Sequence, residues 1–160
     1  MTQIRRATDP YDWNSLLRLL QTSFAYMEGR VDPPPSMYQL TPETLAQQSH
    51  TREIWVAEDN GMPVACVFLT PDSDVLYLSR LAVAQSHRGQ GLARALIGLA
   101  EKRAVELGLP MIEARTRVEL VENHMAFATM GFSQVGETAH EGFEHPTSLT
   151  LRKSIVRQRV

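Results

Sequence analysis

The feature that most limits the fold is a glycine-bearing loop between a strand pattern and a helix pattern. Val75 to Val83 is rich in β-forming residues, and the loop Arg88-Gly89-Gln90-Gly91 follows it. From Gly91 to about Leu107 apolar residues recur at helical spacing, and Gly108 and Pro110 end that pattern. The apolar stripe is wide, which predicts a helix that packs on a sheet.

The strand before this loop changes phase along its length. Leu76 and Leu78 share one face of a regular strand, whereas Leu81 and Val83 fall on the other face. An extra residue between the two pairs would re-aim the second half of the strand. We therefore expect a β-bulge between positions 78 and 81.

The loop itself has the chemistry of an anion site. The start of a helix presents unpaired N–H groups and partial positive charge, and glycines allow an anion to approach the backbone. Taken alone, this pattern is equally consistent with a simple turn. It is not an NTPase phosphate loop, which needs Gly-Lys-Ser/Thr, because Leu92 and Ala93 follow Gly91. A dinucleotide-binding loop is disfavoured because Arg94 occupies that motif's glycine or alanine position.

The surrounding elements indicate an α+β fold with a mixed, mostly antiparallel central sheet flanked by helices. Helices are expected from Asp12 toward Tyr26 and Gly29, from Thr41 to Gln48, and from about Glu122 to Met130. Strands are expected at 2–8, 53–58, 63–69, 111–118, 132–135 and 148–151, with a hairpin turn at Asp59-Asn60-Gly61. In the strand 111–118, apolar residues alternate with charged ones, which predicts a face in contact with water.

Length and composition limit the partners. A chain of 160 residues suits one domain over 1–160, and a net charge of -2 does not favour nucleic acid or an anionic membrane. The single cysteine, Cys66, lies in an apolar run and is expected to be buried and unreactive. The histidines lack metal-ligand spacing, and His140 and His145 are placed in a surface loop. Neither a signal peptide nor a membrane-spanning run is present in the sequence, so a cytoplasmic protein is expected.

Two segments resemble the GNAT superfamily of N-acetyltransferases. Arg88, Gly91 and Ala93 match the family signature Arg/Gln-x-x-Gly-x-Gly/Ala, which follows a bulged strand and opens a helix. The stretch from Asn123 to Gly131-Phe132 is similar to a later segment of the family. The resemblance implies a bulged, splayed strand that forms a slot for acetyl-CoA, direct attack of a primary amine on the thioester, and a homodimer as a compatible state.

The resemblance also implies which residues bind acetyl-CoA. The backbone around Leu81, Ala82 and Val83 would pair with the pantetheine arm. The pyrophosphate would lie on the loop formed by Arg88, Gly89, Gln90, Gly91, Leu92 and Ala93, and the cofactor's other end would be flanked by Asn123 and Phe127.

The resemblance is incomplete at the catalytic acid. Many family members have a tyrosine four residues before the Gly-Phe pair, and this chain has Phe127 there, which has no proton to donate. Three alternatives stay open: Tyr77 donates the proton, a water donates it, or the thiolate leaves unassisted. Tyr77 and His124 are the catalytic candidates, and Glu58 and Ser79 are further candidates for assisting proton transfer.

The acceptor site is expected between the first helices and the late strands. Its candidate residues are Phe24, Tyr26 and Met27, with the loop Val31 to Ser36 beside them. Two alternatives to an amine acetyltransferase stay open. One is a catalytically silent acyl-CoA-binding module, suggested by Phe127. The other is nucleic-acid binding through the helix Arg94 to Arg103, which the near-neutral charge and the lack of stacking aromatics disfavour.

Overall fold

A computed structural model describes residues 2–34 and 39–155. The strands are β1 (Thr2–Arg6), β2 (Glu53–Asp59), β3 (Met62–Pro71), β4 (Val75–Val83), β5 (Met111–Arg117), β6 (Ser133–Thr138) and β7 (Ser148–Ser154). The α-helices are α1 (Trp13–Ser23), α2 (Pro42–Thr51), α3 (Leu92–Glu106) and α4 (Val121–Thr129). Short 3-10 turns occupy Ala25–Met27 and Gln85–His87.

The strands form one sheet in the order β1-β2-β3-β4-β5-β7-β6. All neighbours are antiparallel except β4 and β5, which pair in parallel from Val75 with Met111 to Leu78 with Ala114. The sequence-based prediction of a mixed, mostly antiparallel sheet with flanking helices is confirmed, and β1 forms one edge of the sheet. Within the described ranges, no helix has the length and apolar character needed to traverse a bilayer.

The sheet is covered on both faces. On one face, α1 and α2 bury Leu16, Leu20 and Leu45 against a cluster that includes Phe68 of β3. On the other face, α3 packs on the apolar side chains of the central strands, among them Leu76 and Leu78. The predicted helix starts are confirmed, because an Asp12 carboxylate oxygen accepts from the Ser15 N–H at 3.2 Å and Thr41 forms a capping box with Thr44.

The predicted bulge lies in β4. Ser79 is opposite Phe68 and Ala82 is opposite Cys66, so three steps along β4 match two along β3. Arg80 adopts a positive φ of 50° in the bulge. The extra residue brings Leu81 and Val83 to the same side as Leu76 and Leu78, where all four contact the α3 cluster. The phase change in the sequence is therefore explained.

Two local expectations differ from the structure, and a third lies partly outside the described residues. Helix α1 ends at Ser23, and the tighter turn Ala25–Met27 takes over before Gly29. The segment 31–33 bends, while Pro35 and Ser36 of the predicted loop lie outside the described residues. The expected water-facing side of β5 is wrong for Glu113, which is buried. Since β7 lies alongside, Arg152 reaches the Glu113 carboxylate at 2.9 Å and compensates its charge.

Candidate active site

The candidate site begins where β4 and β5 separate. Their parallel pairing ends at Leu78 and Ala114, directly before the bulge. Beyond that point the residues of both strands line a cavity of about 500 Å³. The bulge that the phase change predicted adjoins the point where the sheet opens, as the family resemblance implied, and no strand of the described residues pairs with that edge of β4 after Leu78.

Residues distant in sequence close the cavity. Phe24, Tyr26 and Met27 line it from the segment after α1, and Asn123 and Phe127 line it from α4. The Asn123 side-chain amide donates to the Tyr26 hydroxyl at 3.1 Å, which ties these two walls together. The structure thus brings the predicted acceptor residues and the two predicted α4 residues to the same cavity.

Two polar atoms of the gap lack an internal partner. Ser79 Oγ on β4 and Thr116 Oγ1 on β5 are buried, and neither forms a hydrogen bond with another described residue. Both residues line the cavity. Because an unsatisfied buried hydroxyl costs about 1–3 kcal/mol, these two atoms favour a polar ligand between the strands.

The glycine loop lies outside the cavity, at the surface beyond the end of β4. Gly89 and Gly91 have φ values of 78° and 79°, and Gly91 is the N-cap of α3 without a side-chain cap bond. No atom lies within 4 Å of where a Cβ would be at either glycine, so the loop is open to an approaching group. Arg88 is exposed, and its Nε donates to the Val83 carbonyl at 3.4 Å.

A protein-family model matches the part of the chain that forms this arrangement. The model of the acetyltransferase (GNAT) family matches residues 13–132, which include the bulged strand, the glycine loop and α4. The chain belongs to the GNAT acetyltransferase family.

Individual relatives agree with this GNAT membership. N-acetyltransferase 8 of Rattus norvegicus is 33% identical over 90 residues, which cover 52% of this chain. The same match spans only 40% of the rat protein's length.

Solved structures share the GNAT fold at low identity. The PaiA N-acetyltransferase of Thermoplasma acidophilum, in complex with coenzyme A, superposes with a TM-score of 0.79 at 14% identity, covering 96% of this chain and 99% of that one. A GNAT-family acetyltransferase of Staphylococcus aureus gives a TM-score of 0.76 at 14% identity, with 98% and 100% covered. At this identity the similarity is one of fold alone.

GNAT proteins use acetyl-CoA, and the residues of this chain fit that molecule. The edge of β4 lies at the gap, the residues that carry the two orphan hydroxyls line it, and the open glycine loop stands at the start of a helix. Of the residues predicted to contact the pantetheine arm, Leu81 lines the cavity, while Ala82 and Val83 continue β4 toward the loop.

The four candidates for proton transfer separate into two groups. Tyr77 and Ser79 line the cavity, whereas Glu58 and His124 do not. Glu58 lies near the edge of the sheet, where its carboxylate accepts from Arg5 Nε at 2.6 Å and from the Tyr11 hydroxyl at 2.7 Å.

His124 does not line the cavity, and a backbone contact fixes its ring. Its Nε2 lies 2.9 Å from the Arg117 carbonyl oxygen. A carbonyl only accepts hydrogen bonds, so this nitrogen holds a proton and cannot receive one.

Tyr77 has the properties of a proton donor. Burial raises the pKa of its phenol above the ordinary value, although the positive charge of Arg115 acts in the opposite direction. The Arg115 guanidinium lies 4.9 Å from the centre of the Tyr77 ring. The hydroxyl is therefore protonated at neutral pH. By contrast, Phe127 packs edge-on against Phe132 with ring centres 5.1 Å apart.

His140 lines the cavity although its sequence context indicated a surface loop. Its Nδ1 and its backbone N–H both contact Thr147 Oγ1. Burial, followed by the positive charge of Arg117, lowers the pKa of the imidazole. The sequence contains no local signal for this placement, because only the pairing of β6 with β7 brings the loop to the gap.

Proposed function

We propose that this chain transfers the acetyl group of acetyl-CoA to a primary amine. The observation that carries the proposal is the gap between β4 and β5, beside the bulge at Arg80 in a member of the GNAT family. Acetyl-CoA supplies the activated acetyl group, and the amine attacks it directly, so no covalent enzyme intermediate is required.

In this proposal the backbone of Leu81 to Val83 binds the pantetheine arm along the free edge of β4. The loop Arg88 to Ala93 holds the pyrophosphate through N–H groups at the start of α3 and through the Arg88 guanidinium. Asn123 and Phe127 flank the bound molecule from α4. The exposure of the loop and the open space at both glycines support this assignment.

The proton steps are assigned to residues that line the cavity. His140 receives the proton of the amine, since its lowered pKa keeps the imidazole neutral at pH 7. If Thr147 Oγ1 accepts from Nδ1–H, the lone pair of Nε2 is available as the base. Tyr77, which stays protonated, donates to the departing thiolate in place of the family's tyrosine.

Cofactor binding is tested by calorimetry with acetyl-CoA. Arg88→Ala should weaken binding by about tenfold, because it removes a charge-assisted hydrogen bond to phosphate. Arg18→Ala, which removes an exposed arginine of α1, is the matched control and should bind like the wild type. Absence of binding by the wild-type protein would contradict the proposal.

The base is tested by comparing two histidines. His140→Gln should lower kcat for thiol release by about 100-fold. His124→Gln should leave kcat within about twofold, because that ring does not line the cavity and its Nε2 donates to a backbone carbonyl. Equal effects of the two substitutions would rule out the assignment of His140.

A silent acyl-CoA-binding module is the second candidate function. It is favoured by Phe127, which occupies the place of the tyrosine acid and has no proton to donate. A thiol-release assay over a panel of amines separates the two candidates. Turnover of any amine excludes the silent module, and acetyl-CoA binding without turnover of any amine supports it.

A further inference from the structure

The residues that line the cavity carry an excess of positive charge. Arg80, Arg115 and Arg117 line it, and among the described residues that line it there is no aspartate or glutamate. Three guanidinium groups around one cavity repel cations and attract anions. The lower dielectric of the partly buried walls strengthens both effects.

Two of these arginines already have partners. Arg115 NH2 lies 3.2 Å from a carboxylate oxygen of Glu113, which it shares with Arg152, so its charge is partly compensated. Arg117 NH1 donates to the Pro33 carbonyl at 2.7 Å, which holds the segment before the second helix against β5. Neither group is free to give its full hydrogen-bonding capacity to a ligand.

Arg80 is different because its contacts among the described residues are with neutral groups only. Arg117 also donates to neutral carbonyls, but the negative charges of Glu119 and Asp32 act on it. Arg80 NH1 donates to the Gln48 side-chain oxygen at 3.1 Å, and its guanidinium lies 5.1 Å from the centre of the Phe68 ring. Burial, followed by the charge of Arg52, lowers its pKa. Arg52 Nε is itself buried and has no hydrogen-bond partner within the described part of the chain. A partly buried cation without a counter-charge is costly, and an anionic ligand would offset that cost.

The position of Arg80 associates this charge with the acceptor rather than with coenzyme A. Arg80 is the bulged residue and contacts Gln48 of α2 and Phe68, both on the α1–α2 side of the sheet. Leu81 and Val83, which precede the glycine loop, contact the cluster on the opposite side. The α1–α2 side of the cavity also presents apolar groups, from Phe24 and Met27.

We propose that the acceptor is an amine that carries both a carboxylate, bound by Arg80, and an apolar body, packed against Phe24 and Met27. This inference rests on the proposed acetyl transfer and names its substrate class. Amino acids and short peptides with apolar side chains have this chemistry. Polyamines and aminoglycosides do not, because their additional positive charges would face Arg80.

Matched substrates test the proposal without altering the protein. L-Phenylalanine is compared with L-phenylalaninamide, and phenylalanylglycine with its C-terminal amide, so that only the carboxylate changes within each pair. In at least one pair the acid should have a kcat/KM at least about tenfold higher than its amide. The amine of phenylalaninamide is less basic and more often neutral, so amine ionisation would favour the opposite result in that pair.

Substitution of Arg80 should remove this preference. In Arg80→Gln the ratio of acid to amide should fall below about twofold, mainly through KM of the acid, and Arg80→Lys should restore part of it. Calorimetry with coenzyme A should give the same affinity for all three proteins. If Arg80→Gln weakens coenzyme A binding as much as acid recognition, the arginine serves the cofactor and the proposal is overturned.

A binding measurement covers the case in which no turnover is detected. N-acetyl-L-phenylalanine should raise the melting temperature of the coenzyme A-saturated wild-type protein more than its amide does, and the difference should vanish in Arg80→Gln. Equal shifts from acid and amide would overturn the proposal. Turnover confined to neutral or polycationic amines would also overturn the proposed carboxylate-bearing acceptor, while acetyl transfer itself would stand. Failure to bind coenzyme A would instead contradict the proposed function.

Discussion

At the scale of single residues, the raised pKa of Tyr77 gives the cavity a hydroxyl that stays protonated at neutral pH. A phenol that lines the gap can donate a proton, whereas the phenyl ring of Phe127 cannot. The family's usual acid is thus replaced, in our proposal, by a residue of the strand rather than of the helix α4.

Tyr77→Phe should lower kcat by about 100-fold with little change in the affinity for coenzyme A, because it removes only the proton donor. Steady-state kinetics and calorimetry measure the two quantities. The control is Tyr11→Phe, which removes a partly buried hydroxyl bonded to Glu58 and should affect stability but not kcat. A Tyr77→Phe enzyme with unchanged kcat would refute the assignment.

Cys66 should be chemically silent in the native protein. It is fully buried, and burial raises the pKa of its thiol to about 12, so almost no thiolate exists at neutral pH. A disulfide reagent should label no thiol of the native protein and one thiol after denaturation in guanidinium. This also means that a thiol-release assay should report coenzyme A alone. Rapid labelling of the folded protein would contradict the burial.

At the scale of elements, the start of α3 depends on a left-handed residue. Gly91→Ala should destabilise the protein by about 1–2 kcal/mol, because an L side chain at a φ of 79° is strained, and it should also weaken acetyl-CoA binding. Gly98→Ala is the matched control within the same helix. It has open space at its Cβ and ordinary helical backbone, so it should stabilise the protein by about 0.5–1 kcal/mol. Urea unfolding measures both changes, and similar values for the two variants would contradict the argument.

The contact between β2 and α3 is centred on a buried carboxylate. Glu53 accepts from Arg103 at 2.9 and 2.7 Å and from Trp55 Nε1 at 2.8 Å. Burial acts to raise the pKa of Glu53, but the hydrogen bonds from Arg103 and Trp55 outweigh it and the pKa is lowered. A pKa that is lower in the folded state than in the unfolded state stabilises the fold above the unfolded value, and this stabilisation is lost as pH falls.

Glu53→Gln should therefore lower the free energy of unfolding by about 1–3 kcal/mol at pH 7. The difference in unfolding free energy between Glu53→Gln and the wild type should shrink as pH falls below about 4.3, the ordinary pKa of glutamate. Glu106→Gln is the control, because this half-exposed carboxylate contacts the same Arg103 at 3.3 Å and should change stability by less than about 1 kcal/mol. Chemical denaturation at pH 7 and pH 3 gives both numbers. A difference in unfolding free energy that is larger at pH 3 than at pH 7 would contradict a lowered pKa of Glu53.

At the scale of the whole molecule, few strand contacts join strands β1–β4 of the sheet to strands β5–β7. The β4–β5 pairing comprises four residue pairs, from Val75 with Met111 to Leu78 with Ala114, and the gap follows it. A ligand bound in the gap would connect both strands and satisfy Ser79 and Thr116. Ligand binding should therefore raise the free energy of unfolding of the whole protein.

Coenzyme A at 100 times its dissociation constant should stabilise the protein by about 2.7 kcal/mol. For a domain of this size that corresponds to a rise in melting temperature of about 5–10 °C. Scanning fluorimetry over a concentration series measures the shift, and Arg88→Ala should need about tenfold more ligand for the same rise. No shift at saturating coenzyme A would show that the gap does not bind it.

Local patterns in the sequence determined much of the architecture. The phase change from Leu78 to Leu81 indicated the bulge, Asn60-Gly61 indicated the hairpin, and Gly108 with Pro110 indicated the end of α3. These features act through neighbouring residues, by backbone sterics and by the alternation of side chains, so they can be read from a short stretch of chain. The family signature at Arg88 to Ala93 belongs to the same class, because the loop and the helix start are contiguous.

Only the tertiary structure decided which distant side chains share the cavity. His140 reaches it through the pairing of β6 with β7, and His124 does not line it, although both are isolated histidines in the sequence. The near-neutral composition also conceals the local excess of arginine at the gap, since three arginines line it and no aspartate or glutamate is among the described residues that do. Charge balance within a cavity depends on which residues the sheet places side by side, and that placement requires contacts far apart in the chain.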